Sequence, residues 1–164
     1  MPTHAEKRNL PYSPEQLFDL VAQVDKYPEF LPWCLASRIK KRDGNVFYAD
    51  LIIGYKMVRE RFGSKVTALR PDHIHAEYLD GPMKYLSNHW RFIEETDGST
   101  TIDFFVDFEF KNPFFQNLMG MFFEKAVRKM VEAFEERARA LYAADAESET
   151  VSESSSNDSP SKEA

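Results

Sequence analysis

The sequence predicts an α+β domain: an antiparallel sheet of about seven strands, two short helices after the first strand, and one long C-terminal helix. Three observations predict it. Apolar residues recur with a period of two from Cys34 to Phe110, a helical period takes over at Pro113, and a capped helix start follows the first extended segment. A length of 164 residues suits one domain with one sizeable core.

Thr3 to Leu10 is polar and extended and ends at Pro11, which suits an edge strand. Ser13-Pro14-Glu15-Gln16 then opens a helix: Ser at the cap, Pro at the first helical position and Gln three residues past the cap can satisfy the free N–H groups. Leu17, Phe18, Leu20, Val21 and Val24 give that helix its apolar face. Asp25 to Cys34 is too broken by proline for a long helix yet holds Tyr27, Phe30 and Trp33, so it reads as a short helical turn packed on something apolar.

Six strands follow, punctuated by Asp43-Gly44-Asn45, Pro71-Asp72, Asp80-Gly81-Pro82 and Asp97-Gly98-Ser99. In the last strand Ile102, Phe104, Val106, Phe108 and Phe110 alternate with a mostly polar set. Leu86, Asn88, Trp90 and Phe92 alternate in the strand before it, and Phe47, Ala49, Leu51, Ile53 and Tyr55 line the same side further back.

Pro113 begins a helix expected to end near Tyr142. From Ala126 to Leu141 it is amphipathic, with Ala126, Val127, Met130, Val131, Ala133, Phe134, Ala138 and Leu141 on one side and the charges opposite. Its first half breaks that rule. Phe115, Met119 and Phe123 continue the buried stripe, but Phe114, Leu118 and Met121 project onto the side that later carries charge. Those three are covered by a loop or by the Tyr27 to Trp33 segment, or form a lip for a lipid surface or ligand mouth, or meet a second copy. Residues 144–164 are rich in Ser and acids and cannot bury enough surface to offset their ordering entropy, so a disordered tail is expected after a domain at 1–143.

The net charge of −6 is misleading about the body, because that tail holds six acids and one base and leaves residues 1–143 with 20 bases against 21 acids. A near-neutral body lacks the concentrated basic field of a DNA-binding domain, although a local patch for RNA stays open. Cys34 is the sole cysteine, which excludes an intrachain disulfide and fits a reducing compartment. No stretch reaches the roughly 18 apolar residues of a membrane-spanning helix, and Met1 to Asn9 is too polar for a signal peptide. The expectation is a cytoplasmic protein, peripheral on the inner face of the cell membrane when it meets lipid.

Catalytic signatures are sparse. His73-x-His75 places two imidazoles on one strand face with no motif to complete a metal set, and Cys34 has no sequence-local base and reads as packing. Glu60 shares parity with Val58 and Phe62 and so faces inward as a potential proton donor, unless a bulge or an arginine meets it. There is no glycine-rich phosphate loop. Fourteen Phe residues exceed what plain packing requires, yet an aromatic stripe is by itself more often core than pocket.

The element order, the run Asp25-Lys26-Tyr27-Pro28-Glu29-Phe30-Leu31-Pro32-Trp33-Cys34 and the later Trp90-x-Phe92 resemble the coenzyme Q-binding protein family of the START and polyketide-cyclase-like superfamily, over residues 3 to about 142. The resemblance implies a helix-grip fold, in which a curved sheet wraps the long helix and leaves a hydrophobic tunnel. It further implies a non-enzymatic carrier of ubiquinone or a similar polyprenyl quinone, bound as ligand with no cofactor, that serves respiratory or quinone-biosynthesis enzymes. A bacterial branch is described as a ribosome-association toxin, which keeps the ribosome as an alternative partner, and a cyclase acting on an aromatic substrate is a third reading. On the carrier reading the lining residues are Tyr27, Phe30, Trp33, Leu51, Ile53, Tyr55, Asn88, Trp90, Phe92, Phe104, Val106, Phe108, Phe115, Met119, Phe122 and Met130, with Phe114, Leu118 and Met121 as the membrane lip. The helix start and the Tyr27 to Trp33 segment would form the mouth. Asn88 either donates to a quinone carbonyl or caps a backbone group, and Tyr55 and Tyr78 are further donors.

Overall fold

The computed structural model describes residues 3–55 and 58–155. Strand β1 (Thr3–Leu10) leads into helix α1 (Pro14–Ala22) and a 3-10 turn (Val24–Glu29). Strands β2 (Cys34–Asp43), β3 (Val46–Tyr55), β4 (Val58–Leu69), β5 (His73–Asp80), β6 (Met83–Glu94) and β7 (Thr100–Phe110) follow, and then helix α2 (Pro113–Ser155). The sheet order is β1-β7-β6-β5-β4-β3-β2, so β2 to β7 each pair with their sequence neighbours and β1 returns to pair with β7. All pairs are antiparallel. This curved seven-stranded sheet around a long helix is the expected helix-grip architecture.

Local chemistry sets the element ends. Ser13 Oγ accepts from the Gln16 N–H at 3.2 Å while the Ser13 N–H donates to Gln16 Oε1 at 3.1 Å, the reciprocal cap that the sequence predicts. Gly81 turns β5 into β6 at φ 137°, and a Cβ there would stand 2.8 Å from the Arg61 carbonyl oxygen, so glycine is required twice over. Pairing of β6 with β7 sets Trp90 opposite Phe104, Asn88 opposite Val106 and Leu86 opposite Phe108, which stacks the apolar parity of both strands on one face.

That inner face packs on α2. Phe134 lies 5.2 Å from Trp90, 5.5 Å from Tyr27 and 5.2 Å from Phe30 between ring centroids, and Phe123 lies 5.2 Å from Phe108. Val127 and Ala138 complete the buried stripe, and α1 plugs one end with Phe18 5.8 Å from Phe92. Polar ties fix the helix at its rim: Arg8 Nη1 to Glu135 Oε1 at 2.6 Å, and the Tyr142 hydroxyl to the Gln16 carbonyl at 2.9 Å.

Two expectations need correction. Leu141, placed on the buried stripe, is 40% exposed, because the stripe leaves the sheet after Ala138. The helix was expected to stop near Tyr142 but continues to Ser155, through residues read as disordered tail. Extending an existing helix avoids the nucleation cost, and Ala143, Ala144, Ala146, Glu147 and Glu149 are good helix formers, so composition alone understates its length. Residues 156–164 of that tail lie outside the described residues.

Because Phe134 joins the helix to both the sheet and the 3-10 segment, Phe134→Ala should cost about 3–5 kcal/mol in urea unfolding. A loss below about 1 kcal/mol would show that the ring does not hold these layers together.

Candidate functional site

Register defines the inner face. Phe47, Ala49, Val66, Ile74, Trp90, Phe92 and Phe104 point inward and are buried. Ile53, Phe62, Tyr78 and Leu86 face the same way but are only half-buried. The backbone bond from the Lys111 N–H to the Pro82 carbonyl, 2.9 Å, sets the start of α2 beside the β5–β6 turn, and Gly63 pairs with Asp80 there. The half-buried apolar group therefore gathers at the end of the sheet where α2 begins. Met83, Phe108, Phe110 and Phe123 are buried on the β6–β7 side of that end, so among the described residues its least-covered part, the opening, faces β3 to β5.

The helix start supplies the opposite wall. Phe115, Leu118 and Phe122 are half-buried, whereas Phe114 is 65% and Met121 is 76% exposed. Among the described residues no loop covers Phe114 or Met121, which argues against the covered-core alternative for those two. The side chains of Tyr55 and Met119 lie outside the described residues.

The Tyr27 to Trp33 segment does not reach this mouth as a unit. Tyr27 and Phe30 pack on Phe134, twenty residues along α2 from Phe114, a distance of about 30 Å on a straight helix. The Tyr27 hydroxyl donates to the Val21 carbonyl, and burial pushes its pKa up. Arg137 anchors the segment further, with its guanidinium 5.3 Å over the Phe30 ring and Nη2 3.5 Å from Glu29. Trp33 alone reaches the opening's end, where its carbonyl accepts from the Gly54 N–H at 2.9 Å.

Trp90 packs on Phe104, 4.6 Å away, and on Phe134, and all of these rings and Phe92 are buried, so they are core. Leu51, Val106 and Phe108 are buried beside them, and Met130 is half-buried. Of the two readings open for Asn88, the geometry matches the backbone cap: its Nδ2 donates to the Phe105 carbonyl at 3.2 Å and its Oδ1 accepts from Trp90 Nε1 at 2.5 Å. The Tyr78 hydroxyl accepts from the Met83 N–H at 3.1 Å and keeps its own proton to donate. Glu60 faces inward opposite Ile53, as its parity predicts, with no hydrogen bond or ion pair to another described residue. Burial pushes the Cys34 thiol up to about 11, which leaves a packed thiol rather than a nucleophile at neutral pH.

Two features escaped the sequence reading. Trp33, named from the sequence only as a lining ring, and Ser37 present a buried Nε1 and Oγ without a hydrogen-bond partner among the described residues, and both stand on the β2 side of the opening. The parity of Ser37 with Ile39 is the signal that could have found it. On the outer face, His89 of β6 joins His73 and His75 in a parallel stack, with His75 and His89 ring centroids 3.9 Å apart and His73 Nε2 3.1 Å from His89 Nδ1. Sequence spacing showed only the pair on β5, because the third ring arrives through cross-strand register.

A family model described as polyketide cyclase / dehydrase and lipid transport matches residues 10–135. The chain is similar to the ribosome association toxin RatA of Rickettsia prowazekii, 37% identical over 79% of this chain and 91% of that protein. It is similar to the mitochondrial coenzyme Q-binding protein homolog B of Xenopus laevis, 35% identical over 85% of this chain, which spans 59% of the frog protein. The solution structure of an 18 kDa protein from Caulobacter crescentus superposes with a TM-score of 0.71 at 35% identity, covering 87% of this chain and 99% of that one.

The histidine stack yields a pH dependence. Burial lowers the pKa of His73, assisted by Arg91 and His75, and burial lowers that of His89, assisted by His75, His73 and Arg91 against an opposing Glu77. The bond between the two rings also needs one nitrogen unprotonated. The folded state thus binds fewer protons than the unfolded one, and stability is full above the ordinary value of 6.5 and falls as pH drops below it. Melting temperature should fall from pH 7.5 to 5.5, and His73→Gln/His89→Gln should flatten that slope. An equal slope in wild type and variant would remove the stack as the cause.

Proposed function

The chain belongs to the polyketide cyclase / dehydrase and lipid transport family, and on that premise we propose that it binds ubiquinone or a similar polyprenyl lipid as a non-catalytic carrier. The observation that carries this reading is the half-open apolar end, where Ile53, Phe62, Leu86, Phe115 and Phe122 face one another's side of the opening without full burial. A packed core has no reason to leave inward-facing apolar groups wet, whereas an isoprenoid chain laid there removes them from water at about 25 cal/mol per Å².

A quinone head offers carbonyl acceptors. Trp33 Nε1 and Ser37 Oγ, buried without partners among the described residues, are the donors that such a head would satisfy, with the Tyr78 hydroxyl, three strands away on β5, as an alternative donor. Phe114 and Met121 provide the contact through which lipid leaves a bilayer, because they are exposed beside the opening and lie on an adaptable Met- and Phe-rich turn. The proposal extends to delivery to respiratory or quinone-biosynthesis enzymes, from a cytoplasmic position with peripheral membrane contact. No helix among the described residues is long and apolar enough to cross a membrane. A second reading, contact with the ribosome, is favoured by a base-rich sector on the outer face of the sheet.

Organic extraction of protein purified from its native host, followed by mass spectrometry, should release an isoprenoid quinone. Finding none in repeated preparations would sink the carrier reading. Trp33→Phe keeps the ring and removes the N–H, and it should weaken quinone retention about two- to tenfold, the range of one hydrogen bond. Met121→Lys should reduce liposome binding about tenfold with cooperative unfolding unchanged, and unaltered binding would remove the lip from the membrane contact.

A further inference from the structure

The outer face of the sheet sorts by charge. Its β7 side carries Asp103, Asp107 and Glu109, its centre the three histidines, and its β2 to β4 side a set of bases. On edge strand β2, Arg38 pairs with Asp50 in register and points outward. A register shift between Ile39 and Lys41 then inserts one extra residue, so two consecutive lysines share the outer side: Lys40 reaches Asp50 at 3.4 Å and Lys41 pairs with Tyr48. A regular strand would send one of them inward. Strand β4 adds Arg59, Arg61 and Lys65 on the same face.

Acids answer only part of this set, and Glu77 of β5 stands opposite Lys65 in register. Asp50 is engaged by Arg61 at 2.7 Å and by Lys40, and Asp80 by Arg61 at 3.4 Å. Arg38, Lys41 and Arg59 make no ion pair with a described residue, and all three are exposed. Tyr48 sits in register between Lys41 and Lys65, which flanks an aromatic ring with two cations. A depression of about 360 Å³ opens beside it, lined by Lys40, Lys41, Tyr48, Asp50, Gly63 and Leu79. Charges on an edge strand can serve only to block strand addition, but a bulge that gathers them onto one face next to an aromatic ring goes beyond that need.

We propose that the outer face of β2, β3 and β4 is a docking surface for the phosphate backbone of RNA, with Tyr48 offered to an unstacked base. Bases two residues apart on β4 are about 6.8 Å apart, which presents cations in a row to a flexible strand of phosphates. A bilayer fits less well, because a convex sheet meets a flat surface along a line and the exposed Phe114 and Met121 stand at the other surface, beside the opening. The surface does not depend on the lipid reading, and it gives the ribosome reading a place of contact.

The test is fluorescence anisotropy of the full chain with a labelled 20-nucleotide single-stranded RNA of mixed sequence. Three or four phosphate contacts predict binding roughly 20- to 50-fold weaker at 200 mM than at 50 mM salt. Arg38→Glu/Lys41→Glu should weaken low-salt binding at least tenfold and flatten the salt slope, Arg38→Gln/Lys41→Gln should act in the same direction more mildly, and Lys7→Glu/Lys129→Glu should change it less than threefold. Absent or salt-insensitive binding, an equal loss in the Lys7/Lys129 pair, or phosphatidylglycerol vesicles bound through Arg38 and Lys41 while RNA is not, each overturns the proposal. Sedimentation separates it from the ribosome reading: if wild type and Arg38→Glu/Lys41→Glu co-sediment equally with ribosomal subunits, that reading stands and this surface falls.

Discussion

One helix has to close a sheet that is much wider than itself. Seven strands leave six gaps of about 4.8 Å, so the sheet spans about 29 Å, against about 10–12 Å for a helix with its side chains. A flat sheet would leave most of its apolar face in water. Curling around α2 brings the outer strands inward, and large rings fill what curvature leaves: Phe134 alone reaches Trp90, Tyr27 and Phe30. Helix α1 and the 3-10 turn plug one end, and among the described residues the other has only the first turns of α2. The half-open apolar group at Ile53, Phe62 and Leu86 is thus the remainder of a covering problem, placed where the fold has no further element to spend.

Most of the fold was legible because its signals are local. Alternation in β6 and β7, the reciprocal Ser13 cap and the turn residues act within a few positions of one another, so a single chain displays them. The exposed helix start was legible for the same reason: Phe114 and Met121 break the angular pattern that α2 keeps further on. What could not be read depends on register between distant segments. The two readings of Asn88 stayed open until β7 supplied the Phe105 carbonyl, and the histidine pair gained its third ring only when β6 lay beside β5. The Tyr27 to Trp33 segment was known to be apolar, but which turn of α2 it meets follows from the path of the chain through α1. The helix end failed differently, since composition weighs a segment as if it nucleated alone whereas here it extends a helix already formed.

Alternate residues of the same strands serve two environments. On β4, Phe62 and Val66 turn to the interior while Arg59, Arg61 and Lys65 turn out, and neither set can be changed in register without exchanging both. Such coupling makes the oily interior and the charged exterior products of one constraint. It also explains why the two candidate activities need not compete for residues: a lipid would occupy the inner parity and a polyanion the outer.

The register shift between Ile39 and Lys41, the second of two in β2, is one place where that coupling is relaxed. Perfect alternation from Cys34 onward would carry either Lys40 or Lys41 to the inner face, against Ala49 and Phe47, where an unpaired ammonium would be desolvated at considerable cost. Inserting one residue resolves the conflict locally. Ile39 still packs inward opposite Ala49, both lysines reach solvent, and Arg42 returns to the inner side only at the strand's exposed end, where its guanidinium lies 5.3 Å over the Phe47 ring. Because β2 is an edge strand, the extra residue disturbs pairing with β3 alone. An insertion in a central strand faces two neighbours, as at the shifts in the β4–β5 and β6–β7 pairs, whereas at the margin the two lysines are accommodated against one.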